Sequence, residues 1–444
     1  MAFEGWLQFA GVEVINNSRT GTYARRMGSD AGCACPDLAA SLGDPPYTSP
    51  EHDPAPWYDE SAPESTQFLG LLGLEMTGAA DGTTTRSATE LLDDGAVLGP
   101  ARAASREIEV KATAIATSRD GLSYGIGWLD TALAGSACHT GCGGDSLCVY
   151  TACPEPPAMA GDCGPAEPVS RWDWDPVAAG DRMLRQLLDV ARTEGPTLDQ
   201  VTHVGAMWYG ELSFTITAGN PWWWRMPWRV FDRTVPPDYT DQVPNYEVIP
   251  PEPCPPPVDC MDTNPYCSGD NRPWPDEPFP GSNPSDLTLM DPCFPTAPFT
   301  ARRIMWRVPS TSMFDWNATA PLVTISTGKA PLRRMTLRWY TNPRNQRPTG
   351  ELDRCDACVE MTLPWIPDRT TVTLDSRTHG VGVVCRGQGA TPSSATVYGP
   401  HGGSYQWPVF DCAVPLIAEL VALDSSITPE LDVRVEFAAR VGVA

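Results

Sequence analysis

The chain has 444 residues, enough for two or three domains with separate cores, and its 38 Gly and 47 Pro break it into short runs that favour antiparallel β domains. A formal net charge of −24 opposes direct binding to nucleic-acid phosphates. No run of about 18 apolar residues marks a membrane-spanning helix, and the start MAFEGWLQFAGVEV lacks the basic and continuous apolar stretches of a cleaved signal peptide.

In chain order, Phe3, Trp6 and Leu7 precede Gly11, and Val12, Val14 and Ile15 follow, which predicts a first strand pair. Residues 29–65, including DPPYTSPEHDPAPWYDESAP, are too polar for their own core. They predict a long loop or arm, with Trp57 and Tyr58 as anchors on a neighbouring subunit. Strands are predicted over 69–76 and 86–91. Ile108, Val110, Ala112 and Ala114 then share one strand face, with Glu107, Glu109, Lys111 and Thr113 on the other. Ser118 is placed to cap a helix in which Leu122, Ile126, Leu129 and Leu133 recur at helical spacing, and Gly135 ends it.

Leu147, Val149 and Tyr150 begin the next strand, and a ragged loop covers 154–170. Met183, Leu184, Leu187, Leu188 and Ala191 fit either a helix or an irregular strand. Leu212, Phe214 and Ile216 alternate with polar residues as a strand should. Trp222, Trp223, Trp224 and Trp228 follow, and indoles in such number read better as a packing patch against another subunit than as a sugar-stacking surface. Residues 1–235 form one domain in this reading. Eighteen of the 47 prolines fall within 236–298, with Cys254, Cys260 and Cys267 among them, which predicts a stapled, semi-rigid linker.

From 299 to 444, eight short runs separated by Gly and Pro turns read as a β-sandwich. The runs centre on Trp306, Leu322, Leu337, Met361, Leu374, Val383, Tyr398 and Val433. The predicted class is therefore mainly β, sandwich domains with one or two helices packed on the N-terminal one.

Fifteen cysteines is an odd number, so at least one is unbridged within the chain. Cys138, Cys142, Cys148 and Cys153 fit disulfides or a zinc site, and their loose spacing favours disulfides. Cys355 and Cys358 lack the second CxxC of a zinc site and the surroundings of a thioredoxin-like redox site. His52, His139, His203, His379 and His401 sit in no catalytic frame, and no HExxH, GxSxG, P-loop or dinucleotide fingerprint is present. Cys385 with His379 or His401 is a weak peptidase pair, because Cys385 falls within a predicted strand rather than opening a helix. The acidic clusters Asp53/Asp59/Glu60 and Asp173/Asp175 lack the alternation of an EF-hand and read as solvated loops. Asn317-Ala318-Thr319 is a glycosylation sequon by pattern alone. The expectation is a non-enzyme without cofactor.

Several of these pieces occur together and in order: FEGWLQFAGVEVINNSRTGTYAR, the DPPYTSP…APWYDE loop, REIEV with GWLDTALAG, CGGDSLCVYTACP, and ELSFTITAGNPWWW. Over about residues 1–228 the chain thereby resembles the distal tail protein family, minor tail proteins of long-tailed actinobacteriophages. VTLDSRTHGVGVV and QWPVF give the C-terminal part a weaker resemblance to the galectin-like sandwich that often follows. The resemblance implies a virion protein of the tail tip, made in the host cytoplasm. It would form a ring, usually hexameric, joining the tail tube to the baseplate hub and receptor-binding proteins, with the tape measure and other minor tail proteins as neighbours. The alternative is a host-attachment module that binds surface glycan through the C-terminal sandwich, with Trp339, Trp365 and Trp407 as its platform.

Overall fold

The computed structural model describes residues 5–29, 35, 37–44, 46–81, 84–90, 95–100, 102–135, 145–153, 181–235, 246–249, 301–308, 317–341, 357–385, 391–392, 397–399, 404–410, 416–423 and 428–441. The chain divides into two compact units: Met1–Trp228 with Trp316–Ala320 and Phe437–Ala444, and Arg229–Asp315 with Pro321–Glu436. Both are built mainly of antiparallel strands. The chain's last residues therefore belong to the first unit, which no boundary read along the sequence shows.

The first unit contains β1 (Trp6–Phe9), β2 (Val12–Asn16), α1 (Asn17–Arg26), α2 (Leu38–Ser41), β3 (Phe68–Thr77), β4 (Thr84–Thr85), β5 (Ala88–Glu90), β6 (Ala96–Leu98), β7 (Arg102–Ala103), β8 (Arg106–Ala116), α3 (Arg119–Leu133), β9 (Asp145–Tyr150), β10 (Leu184–Val204), β11 (Met207–Ala218) and β12 (Trp223–Arg225). β10 organises it. Its first residues, up to Val190, lie between β9 and β12, and from Val190 onward it pairs with β11. Asp189, at φ 57°, marks the change of partner. One set of strands then runs β2-β1-β9-β10, and the other runs β10-β11-β8-β3.

β8 alternates as its sequence demands, with Ile108, Val110, Ala112 and Ala114 buried and Glu107, Glu109 and Lys111 exposed. Ser118 accepts a hydrogen bond from the Gly121 N–H at 2.9 Å, satisfying an otherwise unpaired donor of α3. The helix buries Leu122, Leu129 and Leu133 in the core, each removal from water contributing about 1.5–3 kcal/mol. Gly125 faces the Phe68 ring, and a Cβ there would fall inside contact distance, so the glycine sets how closely α3 approaches β3.

From Leu184 onward the ambiguous segment is strand, Met183 being still helical, because Arg185 and Leu187 are buried between β9 and β12 and Val190 between β9 and β11. α1 is an element the apolar pattern does not predict. Asn16 caps it by accepting from the Arg19 N–H at 3.0 Å, and its buried side includes Asn17, Arg19, Thr20 and Tyr23. The ladder between β3 and β8 shifts register between Gly73 and Glu75. The Asn17 side-chain amide meets Gly73 there, donating to its carbonyl at 3.0 Å and accepting from its N–H at 2.7 Å. Thr20 donates to the Leu71 carbonyl at 3.1 Å. Hydrogen bonds to an irregular strand thus do the work that an apolar stripe does for α3.

β13 (Trp228–Val235), β14 (Tyr246–Ile249), β15 (Ala301–Val308), β16 (Thr319–Ser326), β17 (Leu332–Tyr340), β18 (Val359–Ile366), β19 (Thr370–Asp375), β20 (Gly380–Cys385), β21 (Thr391–Pro392), β22 (Leu416–Leu423) and β23 (Leu431–Val441) follow, most of them in the second unit. One sheet has the order β14-β15-β22-β17-β18, and β16-β19-β20-β21 form another path. β22, LIAELVAL, was not among the predicted strands. It lies between β15 and β17 with Leu416–Ala422 buried throughout, so it lacks the two-residue alternation by which a half-exposed strand is recognised. Its one charge, Glu419, accepts from the Tyr340 hydroxyl at 2.8 Å and from Arg338 at 3.3 Å.

Candidate assembly surface

The predicted arm folds back onto its own chain. Trp57 is 3% exposed; its Nε1 donates to the Phe68 carbonyl at 2.9 Å, and its ring meets Phe68 and Trp128 edge-on at 5.2 and 5.6 Å. Gly70, at φ 115°, makes room, since a Cβ there would lie 2.7 Å from the indole. Tyr58 is half-buried against the same core. Asp53 holds the segment's turn, accepting from the Thr48 and Ser49 N–H groups and from the Tyr23 hydroxyl at 2.9 Å. Burial raises the cost of its charge, but hydrogen bonds from Thr48, His52, Tyr23 and Ser49 outweigh that cost and hold the carboxyl below its ordinary range. Arg19 ties the segment to β2: it pairs with Glu13 at 2.9 Å, lies over the Tyr47 ring at 4.6 Å, and donates to the Asp53 carbonyl at 3.2 Å. Residues 46–66 are therefore a clasp closed on α1 and β3. This corrects the reading of Trp57 as an anchor for a neighbour, because the chain's own core covers it.

The tryptophan run is spent in the same way. Trp223 and Trp224 are fully buried on β12, which pairs with β10 and with Arg440 and Val441. Trp223 Nε1 donates to the Ala79 carbonyl at 2.9 Å. Trp222 is half-buried under the Arg440 guanidinium at 4.5 Å, and Trp228 is half-buried beside Phe437 at 6.4 Å. Trp223 and Trp224 have no surface to offer a partner, and Trp222 and Trp228 keep only part of theirs.

Of the four grouped cysteines, Cys138 and Cys142 lie outside the described residues. Cys153 is bonded to Cys35, a cysteine the grouping did not include, across 118 residues. In the chain-entropy account a closure of that length stabilises by about 5 kcal/mol. Cys148 is buried close by with Trp6, Leu38 and Tyr150. Among the described residues, no group of three or more His, Cys, Asp or Glu side chains is placed to hold a metal ion. Asp53 is used as above, Asp59 accepts from Ser61, and Asp173 and Asp175 lie outside the described residues. Asn317 is buried, and Cys385 ends β20 opposite Thr370. His139, His401 and Cys355 lie outside the described residues.

Most of the large apolar side chains that the first unit exposes among its described residues sit on two hairpins, which the sequence did not single out. Beyond Val190, β10 pairs with β11 alone among the described residues, so residues 191–204 form a sheet edge. Leu198, Val201 and Val204 are 41%, 43% and 60% exposed on it. Register places Leu198, Val201 and His203 opposite Leu212, Gly210 and Trp208, hence on one face, and the His203 ring stacks on Trp208 at 4.6 Å. The second hairpin consists of the short ribbons β4/β7 and β5/β6 between β3 and β8. It exposes Val97 at 57% and Leu98 at 64%. A two-stranded ribbon is marginal in water by itself, and an open apolar edge is a template for pairing.

In the second unit, the three tryptophans proposed as a platform do not act together. Trp339 is fully buried, Trp365 stands exposed on β18, and Trp407 lines a cleft.

The chain matches no protein-family model and no curated protein. Among solved structures it is similar to the SPP1 Dit (gp 19.1) protein, described as a paradigm of the hub adsorption apparatus in phages infecting Gram-positive hosts. That match has a TM-score of 0.34 and 9% identity, covering 85% of this chain and 95% of the other. A chain of the phage P2 baseplate in its activated conformation with Ca matches at TM-score 0.37 and 10% identity, over 87% and 94%. Likeness of that degree fixes neither the fold nor the function of this chain.

Proposed function

We propose that the protein is a structural component of a phage tail tip whose first unit joins copies of itself into a ring. The observation behind this is the presence, on one unit, of an apolar sheet edge at 191–204 and a separate exposed ribbon at 84–103. Two different patches on one subunit suit a head-to-tail contact, and such contacts close into rings when the rotation permits. The ordered motifs of residues 1–228 supply the setting: a ring, usually six-membered in the family they resemble, between the tail tube and the baseplate hub, with the tape measure and other minor tail proteins adjoining.

Sedimentation velocity and negative-stain microscopy of the purified protein test this. Rings are expected from the wild type, and folded monomers from Val201→Asp and from Leu98→Asp, because a buried, unpaired carboxylate costs several kcal/mol at each interface. A wild type that stays monomeric at high concentration, or rings indifferent to both substitutions, overturns the proposal.

A further inference from the structure

Arg185 and Arg225 stand directly opposite each other across the ladder of β10 and β12. Farther along the same face, Leu187 and Trp223 form the next such pair and are fully buried. A pair of like charges thus ends an apolar row, where cross-strand neighbours of equal sign repel. Arg185 is 8% exposed, and Arg225 is half-buried. Burial, and then the Arg225 charge, pull the Arg185 guanidinium down to about 10, and no carboxylate among the described residues offsets them.

The Arg185 guanidinium is fixed on one side only. Its Nη1 donates to the Arg182 carbonyl at 2.8 Å and to the Leu184 carbonyl at 2.9 Å. Its Nε is buried and bonded to no acceptor. Two main-chain carbonyls therefore hold the plane while the Nε–Nη2 edge is left over. That edge is one of those by which arginine grips an oxyanion through two parallel hydrogen bonds. A buried charged donor without an acceptor is costly, and a fold that keeps one points to a group that completes it.

The charge of that group follows from the pair. Water would give Nε an acceptor but leave two guanidinium charges facing each other, and a monovalent carboxylate would cancel one of them. A divalent tetrahedral oxyanion cancels both, and its oxygens spread widely enough to meet two forks. We propose that Arg185 and Arg225 together bind one divalent tetrahedral oxyanion, phosphate or sulfate, within the first unit. This binding is independent of ring assembly.

The test is isothermal titration and thermal unfolding of the full-length protein, prepared free of both ions, with sodium phosphate, sulfate and acetate at constant ionic strength. Concentrations stay at about 10 mM or below, where general exclusion of such salts from protein surfaces has little effect. Phosphate or sulfate should bind with a Kd on the order of 1 mM or tighter and raise Tm as concentration rises, and acetate should do neither. The ratio of the two affinities decides which ion is the occupant. Arg225→Gln should weaken binding about tenfold or more, yet raise the ion-free Tm, because it removes one of two facing like charges. Arg225→Lys keeps the charge, loses the fork and should weaken binding severalfold. Arg182→Gln changes an exposed side chain whose main-chain carbonyl alone is used, and it should match the wild type. Failure of both ions to bind, equal binding of acetate, or a response that survives Arg225→Gln overturns the proposal. So does loss of binding in Arg225→Gln accompanied by a lower ion-free Tm, which marks damage to the fold instead.

Discussion

Replacing Trp57 with alanine separates a clasp from an arm. In the structure the indole is 3% exposed, donates to the Phe68 carbonyl and meets two aromatic rings edge-on. Deleting a buried aromatic side chain of this size costs about 3–5 kcal/mol through lost transfer energy and the cavity left behind. The stranded Phe68 carbonyl adds about 1 kcal/mol or more. A loss of about 4–6 kcal/mol is therefore expected in the first unit, and each kcal/mol lowers Tm by about 2–4 °C for a unit of this size. The assay is thermal and urea unfolding in a Val201→Asp background, followed by near-ultraviolet circular dichroism, so that assembly cannot contribute. A Tm drop of about 10–20 °C is expected. If instead the substituted monomer melts within about 2 °C of its parent while rings of otherwise wild-type protein fall apart, Trp57 reaches a neighbour and the clasp is refuted.

The depressed pKa of Asp53 predicts an acid limb. A carboxyl whose folded pKa lies below its unfolded value stabilises above that unfolded value, near 4, and loses the contribution as pH falls through the folded one. Unfolding free energy measured from pH 6 down to pH 2 should therefore decline below about pH 4, and Asp53→Asn should flatten that limb. Gly125→Ala sets two effects against each other: alanine favours helix by about 1 kcal/mol, but its Cβ would strike the Phe68 ring. Overpacking at about 1–3 kcal/mol should win, giving a net loss readable by urea titration. Reduction of Cys35–Cys153 should lower the first unit's stability by up to about 5 kcal/mol, checked by melting with and without dithiothreitol.

The elements legible in the sequence were those whose environment is simple. β8 has one wet face and one dry face, so Ile108 to Ala114 alternate with charges, and α3 shows a clear cap and apolar stripe. β22 escaped because both of its faces are dry and Glu419 interrupts the run where Arg338 and Tyr340 wait for it. α1 escaped for the opposite reason: its buried residues are polar, and their partners are main-chain groups of β3 more than 50 positions away. Cys35 and Cys153 are joined across 118 residues, a pairing no local spacing signals. The tryptophans misled because a count of indoles does not say whose surface covers them. Trp57 and Trp223 each give the indole N–H to a carbonyl of their own chain.

That covering has a consequence for association. The clasp takes Trp57 and Tyr47, and β12 takes Trp223 and Trp224, so the aromatic residues best suited to an interface core are consumed inside the first unit. Among its described residues, five of the eight large apolar side chains left exposed are Val97, Leu98, Leu198, Val201 and Val204, all on the two hairpins. These are β-branched or leucine side chains on strands rather than aromatic knobs, and on β10 they flank an edge that, beyond Val190, pairs with β11 alone among the described residues. A contact built from such parts gains its geometry from strand hydrogen bonds and its energy from modest apolar cover. Truncating one apolar side chain in it should therefore weaken rings less than an interruption of the β10 edge. Thr197→Pro removes a main-chain donor on that strand without altering any apolar residue, and it should abolish assembly more completely than Val201→Ala.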